Sequence, residues 1–276
     1  TTYIENAALE PEIVDLANFI NSMGGNITGA GTNIIKITGV KKLHGSNYTP
    51  IPDRIEAGTF MAAAAASRGD VTITNIVPEH LKAISAKLIE SGAEVIETGN
   101  HIRVKGPHKI KPLYIKTLPY PGFPTDMQAQ FMALDCVAEG SASIDERIFE
   151  NRFMHVNELL RLGADIHVEG NRAVVNGVPA LSGAPVMATD LRASVSLVIA
   201  GLAAEGETKV LGVGFDKSDA ILNLVKTGAL VATTAQNPYN MGYFGIQTAV
   251  EFLVNGTTEF EDIDSGAVIL DAAAIG

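Results

Sequence analysis

Cysteine is nearly absent: Cys136 is the single one, so an internal disulfide is excluded. Charge is scarce as well, at 18% of residues against roughly 25% in ordinary soluble domains. The charge that exists has the wrong sign for nucleic acid. Twenty Lys and Arg face 31 Asp and Glu, for a net charge of −11, and no basic stripe is present, so no nucleic-acid partner is expected. No apolar run approaches the roughly 18 residues needed to span a bilayer, and no basic, apolar leader opens the chain. No membrane partner is expected either. Thr1 is not a start residue, which suggests a processed, trimmed or engineered chain.

Small and apolar residues are abundant. The 276 residues are 46% hydrophobic, enough for two domains, and runs such as Ala62 to Ala66 suit helices packed closely on sheets. A helix-like segment ending in glycine recurs, from Pro11 to Gly24, Pro78 to Gly92, Met154 to Gly163 and Ser218 to Gly228. The closing glycines lie 68, 71 and 65 residues apart, each where a helix end favours a left-handed residue. Ile13, Leu16, Ala17, Ile20 and Met23 follow helical spacing, as do Leu81, Ile84 and Leu88. β-Rich stretches follow at Ile34 to Thr38, Glu94 to Val104 and Asp165 to Asn176.

A second, more apolar helix is predicted over Arg54 to Ser67, Met127 to Ala138 and Leu191 to Ala204. Asp53, Asp126 and Asp190 precede these helices, and Gly69, Gly140 and Gly206 close them. The repeating unit therefore reads strand, buried helix, strand, amphipathic helix, two strands, and such units should pack about a common pseudo-symmetry axis. Each of the three aspartates is either a helix N-cap or a ligand. Arg192, in the first turn of an apolar helix, opposes the helix dipole and so favours a ligand or ion-pair role. Arg152 has Glu150 and Glu158 as nearby candidate partners; His155 and Cys136 read as structural residues.

Several runs carry a resemblance: Ile4 to Ala8, Ile51 to Glu56, Pro119 to Gln128, Phe149 to His155 and Ala188 to Ser194. Over about residues 1–208 the chain resembles the UDP-N-acetylglucosamine enolpyruvyl transferases (1-carboxyvinyltransferases). The resemblance implies an α/β fold of inside-out barrel type. Residues 1–46 would be the last repeat of a first domain and 47–208 an incomplete second domain. It implies a cytoplasmic enzyme of peptidoglycan precursor synthesis, with a nucleotide sugar and phosphoenolpyruvate as small-molecule partners and neither cofactor nor metal. Asp126 would sit beside the reacting hydroxyl. Arg152 and Arg192 would bind anionic groups, and Asp53, Ile148, Phe149 and Asp190 would line the sugar site. The family's N-terminal half, with its reactive-cysteine loop, has no counterpart here, and Cys136 lies elsewhere. The family's last arginine is also missing, with Lys217 near its place. Residues 1–276 alone are therefore expected to be inactive.

From about Lys209 the pattern changes. Val210 to Asp216 reads as a buried strand ending in a polar residue. A helix from Ser218 and the run Ala232 to Tyr243 follow. Residues 209–276 resemble the C-terminal segment of ribose- and galactose-type periplasmic sugar-binding proteins, an αβ segment in which Asp216 and Gln236 would hydrogen-bond a sugar. The rest of that lobe has no counterpart here, so Asp216 reads first as a strand-end or helix-capping residue. The two resemblances together suggest a chimera, recombined or engineered, with its seam near Glu207 to Gly212. A periplasmic location is the alternative if the tail decides it. Neither resemblance fixes an oligomeric state.

Overall fold

The computed structural model describes residues 1–188, 191–215, 232–235 and 268–271, with the backbone alone at 191–193, 213–215 and the last two segments. The first unit comprises β1 (Thr2–Glu5), α1 (Pro11–Ser22), β2 (Ile27–Thr28) and β3 (Ile34–Ile37). Its sheet is antiparallel in the order β1-β3-β2. Pro11 occupies the first position of α1, where a missing N–H breaks no helical bond.

The second unit was expected to open with a strand. Among the described residues none precedes its helix, and Pro50 and Pro52 explain this by removing alternate ladder donors. The unit consists of α2 (Arg54–Ala66), β4 (Asp70–Thr74), a 3₁₀ turn (Pro78–Leu81), α3 (Lys82–Glu90), β5 (Glu94–Thr98) and β6 (His101–Lys105). Its sheet order is β4-β6-β5, antiparallel throughout.

The third unit realises the full predicted pattern. It runs β7 (Tyr114–Lys116), a 3₁₀ turn (Thr125–Met127), α4 (Gln128–Asp135), β8 (Ser141–Asp145), α5 (Val156–Arg161), β9 (Asp165–Glu169) and β10 (Arg172–Asn176). The order is β7-β8-β10-β9, with β7 parallel to β8 and the other pairs antiparallel.

The last unit holds β11 (Leu181–Ser182), β12 (Pro185–Ala188), α6 (Leu191–Ala203), β13 (Ala204–Glu205), β14 (Lys209–Phe215), β15 (Ala232–Ala235) and β16 (Val268–Asp271). β11 pairs parallel with β13. The larger sheet is ordered β12-β14-β15-β16, where β14 is parallel to both neighbours and β16 is antiparallel to β15. The predicted helix from Ser218 to Gly228 lies outside the described residues.

The described glycines predicted to close the amphipathic helices are left-handed: Gly24, Gly92 and Gly163 have φ of +89°, +98° and +86°. In each case the next residue's N–H returns to the helix, as in Gly25 to the Ile20 carbonyl at 3.0 Å. Gly69 differs. Arg68 takes the left-handed conformation instead, at φ +57°, and Gly69 N–H bonds to the Ala64 carbonyl at 2.8 Å.

α2, α4 and α6 meet pairwise and form the centre of the core. Every residue of α4 is buried, which explains its lack of a polar face. Small residues permit the close approach. A Cβ at Gly58 in α2 would stand 2.7 Å from Ile84 Cδ1 and 3.1 Å from the Met127 sulfur. One carboxylate breaks the apolar pattern: Asp135 is fully buried and accepts the Leu113 N–H at 3.1 Å. Burial holds its proton affinity well above the usual carboxylate range. Among the described residues no helix is long and apolar enough to cross a membrane.

Candidate functional site

The loop between β8 and α5 is organised by one carboxylate. Glu146 directly follows β8 and is buried. Its Oε1 accepts the Thr117 hydroxyl at 2.8 Å and the N–H groups of Ile148 and Phe149 at 2.9 and 3.2 Å. Its Oε2 accepts the Thr125 hydroxyl at 2.9 Å. Thr117 in turn accepts the Arg147 N–H at 2.7 Å. The chain then turns through Asn151, at φ +53°, and presents Arg152.

Arg152 spans back to the 3₁₀ turn ahead of α4. Its Nη2 donates to Asp126 Oδ1 at 2.8 Å and its Nη1 to the Thr125 hydroxyl at 2.9 Å. The guanidinium lies over the Phe149 ring, 4.6 Å from its centroid. The Arg152 side chain is only 11% exposed whereas Asp126 is 35% exposed, so the carboxylate meets solvent and the cation backs it. A planar guanidinium fixes both position and orientation of the group it holds.

A cleft of about 290 Å³ opens beside this pair, with Asp126, Ile148, Phe149, Glu10, Arg54 and Tyr120 on its wall. Arg54 Nε donates to Glu12 Oε1 at 2.9 Å, and its guanidinium lies 5.6 Å from the Tyr120 ring centroid. The arrangement can hold a polar ligand, present a carboxylate to a ligand hydroxyl, and balance that charge from behind.

Among the residues singled out in the sequence, Asp126, Ile148 and Phe149 come together on the cleft, with Arg152 behind them. Asp53 instead caps α2, accepting the Ile55 and Glu56 N–H groups at 2.7 and 3.2 Å, and does not line this cleft. Arg152 pairs with Asp126, while Glu158 pairs with Arg161 at 3.4 Å and accepts the Met187 N–H. Arg192 lies in the first turn of α6, its side chain outside the described residues. Asp190, Asp216 and Gln236 also fall outside them, as does Lys217. His155 is buried at the start of α5. Cys136 is buried too, and its thiol is pushed up to about 12 by burial, far from a reactive thiolate. Among the described residues no cluster of His, Cys, Asp and Glu is arranged to hold a metal ion.

Sequence reasoning passed over Glu146, Glu10, Arg54 and Tyr120. Arg54 and Tyr120 stand inside the two runs Ile51 to Glu56 and Pro119 to Gln128, so their proximity to Asp53 and Asp126 was the available signal. Glu146 carried no comparable signal.

Comparison with solved structures finds enolpyruvyl transferases of similar fold. The enolpyruvyl transferase NikO from Streptomyces tendae matches with a TM-score of 0.68 and 28% identity, over 76% of this chain and 50% of that one. EPSP synthase from Acinetobacter baumannii, at 20% identity and a TM-score of 0.53, shares the fold. The chain belongs to the EPSP synthase (3-phosphoshikimate 1-carboxyvinyltransferase) family, whose profile matches residues 1–217. It is 62% identical over 209 residues to the UDP-N-acetylglucosamine 1-carboxyvinyltransferase of Geobacter metallireducens, covering 76% of this chain and 50% of that protein. The protein of the same name from Clostridium botulinum is 57% identical over 212 residues, covering 77% and 51%. The chain thus spans about half the length of the curated relatives it matches.

Proposed function

We propose that residues 1–208 carry one half of an enolpyruvyl transferase site that acts on UDP-N-acetylglucosamine and phosphoenolpyruvate in peptidoglycan precursor synthesis. One observation carries the reading. The Asp126–Arg152 pair stands beside a cleft in a chain 62% identical over 209 residues to a protein named for that activity.

The proposed roles follow from the chemistry. Asp126 accepts the proton of the reacting sugar hydroxyl. The sugar oxygen bonds to C2 of phosphoenolpyruvate while C3 gains a proton, giving a tetrahedral adduct. Loss of phosphate from C2 and of a proton from C3 restores the double bond, now on the sugar. Arg152 orients Asp126 and balances its charge, and Arg192 supplies positive charge for the anionic groups. Ile148, Phe149 and Asp190 line the nucleotide-sugar side, and Asp53 supports it from the cap of α2. In this reading residues 1–46 close a first domain and 47–208 build most of a second, and the reaction is cytoplasmic.

The facing half of the site belongs to the part of the relatives that this chain does not span. Residues 1–276 alone are therefore expected to release no phosphate from the two substrates, and steady protein-dependent release would overturn that expectation. Two arginines and the start of a buried helix still favour weak ligand binding. Chemical-shift titration with UDP-N-acetylglucosamine is expected to give a Kd of about 1 mM, or about 4 kcal/mol, weakening with added salt. Absence of shifts at Ile148, Phe149 and Arg152 would sink the reading.

A second reading applies to residues 209–276 as a sugar-binding segment. It is favoured by the pairing of β14 and β15, which are parallel neighbours with Phe215 opposite Thr234. Asp216 and Gln236 directly follow these strands in sequence, and parallel sheets bind ligands beyond their carboxyl ends. Calorimetry with ribose, galactose and glucose tests it. Micromolar binding lost in Asp216→Ala supports the reading, and no heat with any of the three removes it.

A further inference from the structure

We infer that Glu10 is a further substrate-contacting residue, accepting a hydrogen bond from a hydroxyl or amide N–H on the sugar portion of the ligand. The inference rests on the nucleotide-sugar reading above. Glu10 stands at the N-cap of α1, with φ −56° and ψ 142°. An acidic side chain there ordinarily accepts an N–H from its own helix. Glu10 makes no such bond. Among the described residues its Oε1 receives only the Tyr120 N–H, at a long 3.4 Å, and its Oε2 is buried with no hydrogen-bond partner. An unpaired buried carboxylate oxygen is costly, and such groups concentrate where they serve a ligand.

The surroundings hold Glu10 in this position. Pro11 is buried and restricts the residue before it to an extended conformation. Glu12, two residues on, receives Arg54, whose side chain is 10% exposed. Arg54 lies over the Tyr120 ring, and the Tyr120 N–H returns to Glu10. This loop of contacts fastens the first unit to α2 and to the loop before α4, on the wall of the cleft that carries Asp126.

Charge decides what Glu10 can face. Among the described residues two cations beside the cleft are already matched, Arg54 by Glu12 and Arg152 by Asp126. A phosphate next to Glu10 would meet like charge, whereas a neutral donor gains a charge-assisted bond. Asp126, on the same wall, faces the reacting sugar hydroxyl in the functional reading. The donor facing Glu10 therefore belongs to the sugar rather than to the uridine diphosphate. Glu10 comes from the first unit and Asp126 from the third, so one bound sugar would link them.

The test compares affinities for UDP-N-acetylglucosamine and for UDP in the full chain, in Glu10→Ala and in Glu10→Gln, with the melting temperature of each. Glu10→Ala is expected to weaken UDP-N-acetylglucosamine binding at least about tenfold, with UDP unchanged. Glu10→Gln, which keeps one acceptor oxygen, is expected to fall between. Unchanged binding of the nucleotide sugar in a folded Glu10→Ala overturns the inference and leaves the functional reading intact. An equal loss for both ligands also overturns it, making Glu10 a structural residue. Failure of the unaltered chain to bind the nucleotide sugar ends the functional reading and this inference with it.

Discussion

The sheets β7-β8-β10-β9 and β12-β14-β15-β16 begin alike and end differently. Each starts with two parallel strands joined through an apolar helix. In the first sheet the chain then moves to the edge as β9 and returns as β10, antiparallel between β8 and β9. The sheets β1-β3-β2 and β4-β6-β5 follow the same plan. In the last sheet the next strand, β15, lies directly beside β14 and runs parallel to it. The departure comes after β14, close to residue 217, where the family match ends. A parallel strand–helix–strand start is shared by more than one α/β architecture, so it accepts more than one continuation.

Proline placed in the two third-position strands is the strongest way to break the comparison. Val174 in β10 pairs with Ser143 on one side and His167 on the other. Thr233 in β15 pairs with Gly214 and Leu270. Val174→Pro is expected to cost about 3 kcal/mol or more and to lower the main thermal transition. Thr233→Pro is expected to leave that transition and nucleotide-sugar binding in place. Equal losses in the two variants would mean that the tail is part of the repeat core.

The residues after the second strands offer a smaller contrast. Glu146 follows β8 and serves four donors, so Glu146→Ala is expected to cost about 2–3 kcal/mol and to abolish shifts at Ile148 and Phe149 on titration. Asp216 holds the matching place after β14, and Asp216→Ala is expected to leave stability unchanged. Chemical denaturation of both variants checks the pair.

A pH signature distinguishes the core more gently. Asp135 has a raised proton affinity in the folded chain, so above the ordinary value of about 4 the folded state holds a proton that the unfolded state has lost. Stability from this residue is present at low pH and declines as pH rises toward the folded value. Asp135→Asn removes this slope, and its melting temperature is expected to exceed that of the unaltered chain at pH 8 more than at pH 4. A transition containing only tail strands would show no such change. The smallest loss belongs to the exposed Arg103–Asp70 pair across β4 and β6, where Arg103→Ala is expected to lower melting less than Val174→Pro or Glu146→Ala.

Much of the repeat was legible because local rules agree with the fold. Helical spacing and closing glycines marked α1, α3 and α5, and apolar runs marked α2, α4 and α6. Boundaries shifted where a 3₁₀ turn replaced the expected start, as at Thr125–Met127 ahead of α4. The site was only partly legible. Asp53 is a cap by a short-range rule, whereas the Arg152–Asp126 pair joins residues 26 apart in the chain, and Arg152 had nearer acidic candidates. Glu146 was invisible because its partners Thr117 and Thr125 stand 29 and 21 residues away and meet it only in three dimensions. The direction of β15 was hidden for the same reason, since a strand's sequence does not name its neighbour.

Gly58 has a genetic consequence. Met127, which sits 3.1 Å from where a Cβ at position 58 would lie, ends the same short turn that carries Asp126. A single added methyl at 58 would push on that turn without any change to a residue on the cleft. Methionine is compliant enough to give way in part. Gly58→Ala is therefore the kind of lesion that a screen would recover as a conditional allele, tolerated when cool and defective when warm. Its suppressors would be expected at Met127 and Ile84, where smaller side chains restore the gap.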